Sequence, residues 1–218
     1  MFTGIIEALG QLVEKRQHGG DLRLRLATGK MDLNDVKLGD SIATNGVCLT
    51  VTGVEDGSFW ADVSNETIKH SSLNDLSIGS PVNLEKAMLA NGRFGGHIVT
   101  GHVDAVAKIA KISEDARSIR IEVETPSQLK PYIAHKGSIT IDGVSLTVNE
   151  LTATGFVLNI VPHTAQETII ANYKDGSRVN IEVDVIARYL EQLMKPQENS
   201  SVSSKIDSSF LAANGFMK

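Results

Sequence analysis

Cysteine is nearly absent from this 218-residue chain: Cys48 stands alone. One thiol excludes an internal disulfide and leaves no second thiol for a Cys-based zinc site. No apolar run approaches the roughly 20 residues that a membrane helix requires. The opening stretch MFTGIIEALG lacks the basic start and small-residue cleavage site of a secretory signal, so the chain reads as cytoplasmic, with no membrane partner. Cationic clusters are missing as well. The formal charge is −5, and no basic stripe or aromatic-interleaved basic run occurs, which argues against nucleic-acid binding driven by counterion release. Hydrophobic residues at 41% and charged residues at 22% describe an ordinary globular protein, which leaves small molecules or other proteins as partners.

What is present is a repeat. NGVCLTV, Asn45 to Val51, returns as DGVSLTV, Asp142 to Val148, and an ungapped offset of 97 applied to residues 1–87 gives 19 identities. Unrelated chains of ordinary composition would share about 6% of positions, roughly five here. The two halves therefore share a fold. DLRLRLAT and SIRIEVET alternate apolar and polar residues as half-buried antiparallel strands do. SIATNGVCLTV and GSITIDGVSLTV break at Asn-Gly and Asp-Gly, the strongest short hairpin signal. SFWADVS, GFVLNIV, SPVNLE and SRVNIE supply further strands. Roughly six strands per half predict a small closed barrel, an arrangement without exposed sheet edges. Helical signals are short: SQLKPYIAHKG, and about one turn in SSLNDLSIG and TIIANYKDG.

The fold class expected is all-β, two tandem barrels and a C-terminal helix. The domains expected are a first barrel with its linker over 1–96, a second barrel over 97–185, an oligomerisation helix over 186–195 and a largely disordered tail over 196–218. The linker KAMLANGRFGGH carries the Asn-Gly and Gly-Gly pairs of a connector. In the helix, Ile186, Tyr189, Leu190, Leu193 and Met194 share one face. That face packs either on another subunit or on its own second barrel, and the subunit contact is the reading adopted here.

Positions that differ between matched halves mark where roles have split. Ile5 faces His102, Gly39 faces Lys136, Cys48 faces Ser145, Glu66 faces His163 and Ala87 faces Asp184. Groups able to exchange protons gather in the second half. Ser145 lacks the Gly-x-Ser-x-Gly elbow of hydrolases. His97 and His102 are not spaced as a metal pair, and GRFGGH lacks the ending of a phosphate loop, so no metal is expected.

MFTGIIE, NGVCLTV, GGHIVTGHVD, KGSITIDGVSLTV and VPHT, in this order, resemble the riboflavin synthases over residues 1 to about 195. The resemblance implies two six-stranded antiparallel Greek-key barrels and a homotrimer whose active sites lie between the first barrel of one subunit and the second barrel of the next. It implies a transferase that dismutates two molecules of 6,7-dimethyl-8-ribityllumazine without a cofactor. One molecule gives a four-carbon unit to the other, forming riboflavin and 5-amino-6-(D-ribitylamino)uracil. Two copies of one substrate account for two related pockets. The acidity of the 7-methyl group means that modest bases suffice, with juxtaposition of the rings supplying much of the acceleration.

Carried over, the pattern gives the first pocket Gly4, Ile5, Ile6, Val47, Cys48, Leu49, Asp62, Val63, Ser64, Asn65, Glu66 and Thr67, with Ser41 and Thr50 as further substrate contacts. The second receives Gly101, His102, Val103, Lys136, Ser145, Leu146, Thr147, Asn159, Ile160, Val161, Pro162, His163 and Thr164. The catalytic set implied is His102, Ser145, Thr147 and Asp184 as a polar cluster that moves protons, with Cys48 as nucleophile or contact at the opposing pocket. Water is the alternative nucleophile. Which barrel takes the donor stays open, as does association with a lumazine synthase. A non-catalytic lumazine- or flavin-binding antenna protein of the same fold is the rival reading.

Overall fold

The computed structural model describes residues 1–195 and 208–216. The first barrel comprises β1 (Ala8–His18), β2 (Asp21–Ala27), β3 (Ser41–Thr44), β4 (Val47–Glu55), β5 (Ser58–Val63) and β6 (Pro81–Lys86), with helix α1 (Asn65–His70) between the last two. The second repeats it with β7 (Ala105–Asp115), β8 (Ser118–Glu124), β9 (Ser138–Ile141), β10 (Val144–Leu151), β11 (Gly155–Ile160) and β12 (Arg178–Val183), and with helix α2 (Pro162–Glu167). Both sheets close antiparallel, in the order β1-β2-β5-β4-β3-β6 and its equivalent β7-β8-β11-β10-β9-β12. Even the irregularities are duplicated at the 97 offset. Pairing slips between Leu12 and Glu14 and between Ile109 and Lys111, then between Val51 and Gly53 and between Val148 and Glu150.

Period-two alternation explains the cores. Leu22, Leu24 and Leu26 turn inward from β2 while Arg23 and Arg25 turn outward. Phe59 and Phe156, matched at the offset, are fully buried in separate cores. Each such side chain contributes about 1.5–3 kcal/mol by leaving water. The Asn45-Gly46 and Asp142-Gly143 turns have φ of 46° and 77°, and of 43° and 81°. Positive φ at both central residues is what a type I′ hairpin demands.

The barrels belong to one compact unit, Met1–Val185. Their junction is reciprocal. Phe2 bridges Val99, Ser145 donates its N–H to the Gly4 carbonyl at 2.8 Å, and Cys48 donates to the Gly101 carbonyl at 2.9 Å. Ile6 packs against the second core and Val103 against the first. The segments leading into β1 and β7 thus cross before entering their own barrels.

Short three-ten turns at Ser72–Asp75 and Ile169–Asn172 match the single turns expected there, and SQLKPYIAHKG forms a three-ten turn, Ser127–Tyr132. Helix α3 (Val185–Met194) carries Ile186, Tyr189, Leu190, Leu193 and Met194, all exposed. The expectation of a disordered tail falls for 196–207 and 217–218 outside the described residues. Ser208–Ala213 forms a short helix, α4, which includes the apolar FLAA run.

Candidate active site

Two half-sites form where the crossed segments meet the barrels. The first is a cavity of about 350 Å³ lined by Val47, Cys48, Glu66, Thr67, His70, Ser71, Gly101, His102 and Val103. Gly101 (φ +80°) lies so close to β4 that a Cβ there would stand 2.6 Å from the Cys48 Cβ. Its segment is clamped by the buried Glu182 on β12. One Glu182 oxygen accepts from the Thr100 N–H and hydroxyl, both at 2.7 Å, and the other from the Gly101 N–H at 3.0 Å. Helix α1 forms the opposite wall. Ser64 caps it by accepting from the Thr67 N–H at 3.2 Å, and Glu66 pairs with His70 at 3.1 Å.

The second half-site mirrors this scaffold with different chemistry. Gly4 (φ +77°) presses on Ser145, where a Cβ would stand 2.6 Å from the serine Cβ. Glu85 on β6 clamps its segment through the Thr3 N–H at 2.7 Å, the Thr3 hydroxyl at 2.9 Å and the Gly4 N–H at 3.0 Å. Burial pushes both clamping carboxyls above the usual range, against the pull of these donors. Where the first half has Cys48, the Ser145 Oγ lies 2.7 Å from His97 Nδ1, and the other ring nitrogen lies 3.2 Å from the Thr140 hydroxyl. Burial lowers the His97 pKa, while the Asp184 charge opposes that shift. A neutral imidazole holds one proton, so one of the two hydroxyls donates to the ring and the other accepts from it.

This arrangement groups two sets of expected residues differently. Gly101, His102 and Val103 line the first half-site rather than the second, and Gly4 abuts Ser145 rather than completing the first pocket. His102 is accordingly separated from Ser145: it stands with Cys48, Glu66 and Thr67, while Ser145 stands with His97 and Thr140. The crossing of the leading segments is the physical reason, and an offset that treats both halves alike cannot register it.

Other expected residues are distributed as follows. Ser41 and Ile5 line a larger cavity of about 690 Å³ beside the linker. Leu49, Val63 and Ile160 are buried core residues that can offer only backbone to a ligand. Asp62, Ser64 and Asn65 are exposed, and Asp62 pairs with Arg23 at 3.5 Å. Thr50, Lys136, Thr147, Asn159, Val161 and His163 are exposed as well, and Ile6, Leu146, Pro162 and Thr164 are partly buried. Asn159 donates to Asp115 at 3.0 Å.

Two residues beside the half-sites are absent from the set that the sequence offers. His97 would match a residue before position 1 at the 97 offset, so the comparison of halves cannot reach it. Phe2 is fully buried against Ala43, Val99, Cys48 and Ala87, directly beneath the first half-site. Its place within MFTGIIE was the available signal. Among the described residues, no group of three His, Cys, Asp or Glu side chains could hold a metal ion, and no helix is long and apolar enough to cross a membrane.

Comparison with known proteins agrees with the double-barrel fold. The lumazine binding domain model matches twice, over residues 3–87 and 100–184. The riboflavin synthase of Photobacterium phosphoreum is 51% identical over 217 residues, with 100% of both chains covered. That of Bacillus subtilis is 45% identical, covering 99% of this chain and 100% of the relative. That of Mycobacterium tuberculosis is 44% identical over 199 residues, covering 89% and 98%. Crystal structures of LumP complexed with 6,7-dimethyl-8-(1'-D-ribityl) lumazine and with riboflavin superpose with TM-scores of 0.76 and 0.78 at 25% identity, each covering 84% of this chain and 99% of LumP. The chain, with a lumazine-binding domain in each barrel, belongs to the riboflavin synthase family.

Proposed function

We infer that the two half-sites divide between them the reaction of this family. Two molecules of 6,7-dimethyl-8-ribityllumazine dismutate by four-carbon transfer, yielding riboflavin and 5-amino-6-(D-ribitylamino)uracil. The products contain every atom of the two substrates, so no further reactant is consumed. The observation that carries the division of labour is the contrast at matched positions. Cys48 with His102 stands on one copy of the scaffold, and Ser145 with His97 and the nearby Asp184 on the other.

A lumazine bound at each half-site meets backbone amides at its dione edge and hydroxyls and carboxylates along its ribityl chain. Ser145 takes a proton from the acidic 7-methyl group as its own hydroxyl proton passes to Nδ1 of the neutral His97, and Asp184 stabilises the imidazolium that results. His102 serves the opposing lumazine, and Thr147, exposed on the same strand as Ser145, orients the ring. Cys48 or water adds to the acceptor. Holding the rings face to face converts an encounter of two molecules into a unimolecular step.

Within one chain His102 and Ser145 belong to different half-sites, which supports a complete site that takes its halves from two subunits. Three head-to-tail contacts close a trimer, with the exposed apolar residues of α3 as its adhesive. The enzyme works in the cytoplasm, where a lumazine synthase docked on the trimer would pass substrate on directly; co-sedimentation of the two tests that association. The function itself is tested by incubating the protein with 6,7-dimethyl-8-ribityllumazine and following absorbance. Conversion to riboflavin is expected, and a stable spectral shift without conversion would mean binding only.

A further inference from the structure

The turn that carries Ser145 is supported differently from its counterpart. In both halves the central residue of the hairpin accepts a backbone N–H from the last strand of its barrel. Asn45 accepts from Asn83 at 2.7 Å, and Asp142 from Asn180 at 2.8 Å. The rest of the junction is also reciprocal. Asn83 donates its side-chain amide to the Asp142 carbonyl and Asn180 to the Asn45 carbonyl, both at 2.8 Å. One pair of positions breaks the match. The second carboxylate oxygen of Asp142 accepts from the Tyr173 hydroxyl at 2.5 Å, and at the 97 offset Tyr173 corresponds to Leu76. The first barrel holds its turn with Asn45 and has an apolar residue at the matched position. The second holds it with a buried carboxylate and supplies the phenol that such a group requires.

We propose that Asp142 and Tyr173 are positioning residues for the second half-site, fixing the β9–β10 turn and so the placement of Ser145 against Gly4 and His97. The inference rests on the role given above to Ser145. A buried carboxylate with two donors aimed at it is a stiffer anchor than a carboxamide, because hydrogen bonds to a charged acceptor are stronger. The turn then passes the constraint along two residues of backbone to the Ser145 N–H, which donates to Gly4. Close contact of Gly143 with Gly46 leaves the turn no room to shift toward the first barrel.

The anchor also carries a proton dependence that the first barrel lacks. Tyr173 faces Asp142; of the charged groups on β6 and β12, Glu85 and Glu182 are turned to the Thr-Gly segments, Lys86 pairs with Asp35 and Arg178 with Asp75. Burial raises the Asp142 pKa to about 7. Once protonated, the carboxyl must donate, and the phenol that donates to it must turn to accept.

Hydrogen exchange on the full-length protein tests this, with segment 47–50 as the internal reference for segment 144–147. In the unaltered protein the relative protection of 144–147 should fall as pH drops through about 7. Tyr173→Phe should speed its exchange about tenfold and lower kcat by a similar factor with KM within about twofold, the loss of one charged hydrogen bond. Asp142→Asn with Tyr173→Leu gives the second barrel the pair that the first already folds with. It should recover part of the protection and kcat lost in Tyr173→Phe, short of the unaltered protein, and abolish the pH dependence. Unchanged protection, pH response and kcat in Tyr173→Phe would overturn the proposal. A Ser145→Ala variant with full turnover would instead remove the role given to Ser145, while the exchange data still decide whether the pair positions the turn.

Discussion

The two half-sites are one design executed twice, and the contrast between them separates scaffold from chemistry. Both use a Thr-Gly segment from across the junction, both clamp it with a buried glutamate, and both press a positive-φ glycine against the strand that follows the hairpin. What differs is the side chain under that glycine and its company: a thiol with His102 nearby in the first, a hydroxyl bonded to a half-buried histidine in the second. On the reading proposed above, agreement between copies marks what holds a lumazine, and disagreement marks what makes each lumazine react.

The sharpest way to break the comparison is to remove the differing groups. Ser145→Ala and His102→Gln should each lower kcat by about 10²-fold, the lower end of what a proton-transferring side chain contributes, with KM little changed. Coexpressing the two variants should then recover part of the activity. A site built from two subunits can draw its intact halves from different chains, whereas no recovery would place both halves in one.

Next in size are changes to the shared scaffold. Gly4→Ala and Gly101→Ala force a Cβ to 2.6 Å from Ser145 or Cys48 at positive φ, and should cost about 1–3 kcal/mol each by denaturant titration. If the crossing governs the sites as described, Gly101→Ala weakens ligand binding at the first barrel and Gly4→Ala at the second. Asn45→Asp places a carboxylate where Leu76 offers no hydroxyl, and should cost about 3 kcal/mol above pH 7. Adding Leu76→Tyr should return part of that.

The pH dependence of stability follows from the buried acids. Asp142, Glu85 and Glu182 all hold their protons to higher pH in the native state than in the unfolded chain. The native state therefore binds more protons in the interval, and their contribution is full below the unfolded values and is lost as pH rises through the native ones. Thermal midpoints should fall as pH rises through about 7, where native Asp142 loses its proton, and Asp142→Asn should flatten that slope, while His97, whose pKa burial lowers, acts in the opposite sense at lower pH. The smallest effect expected is for Cys48→Ala, a few-fold on kcat if water adds to the acceptor. A loss as large as that of Ser145→Ala would make the thiol the nucleophile.

Much of the fold was legible because the repeat supplies an internal control. Alternation in DLRLRLAT, the Asn-Gly and Asp-Gly turns and the closing strands all lie where local pattern puts them. The candidate residues were legible as a set. Their grouping was not, since whether Gly101 packs on its own barrel or on the other depends on a chain path that no local period encodes. His97 and the Asp142–Tyr173 bond were hidden for a related reason: each depends on contacts between residues more than 30 positions apart. Trp60 is a further case. It sits at an outward position of β5 yet is 7% exposed, because Arg16, Arg23 and Arg25 lie 4.5, 5.3 and 5.5 Å from its ring centre.

The crossed segments have a consequence for ancestry. If residues 1–87 and 98–184 descend from one gene, each barrel of the ancestor lent its leading arm to a twin and received one in return. Such a protein was complete only as a pair. Fusion through the linker would then have left every contact of that exchange in place while freeing the twins to diverge, Cys48 from Ser145 and Asn45 from Asp142. A symmetrical dimer with two equal pockets could in this way become a single chain with two unequal ones.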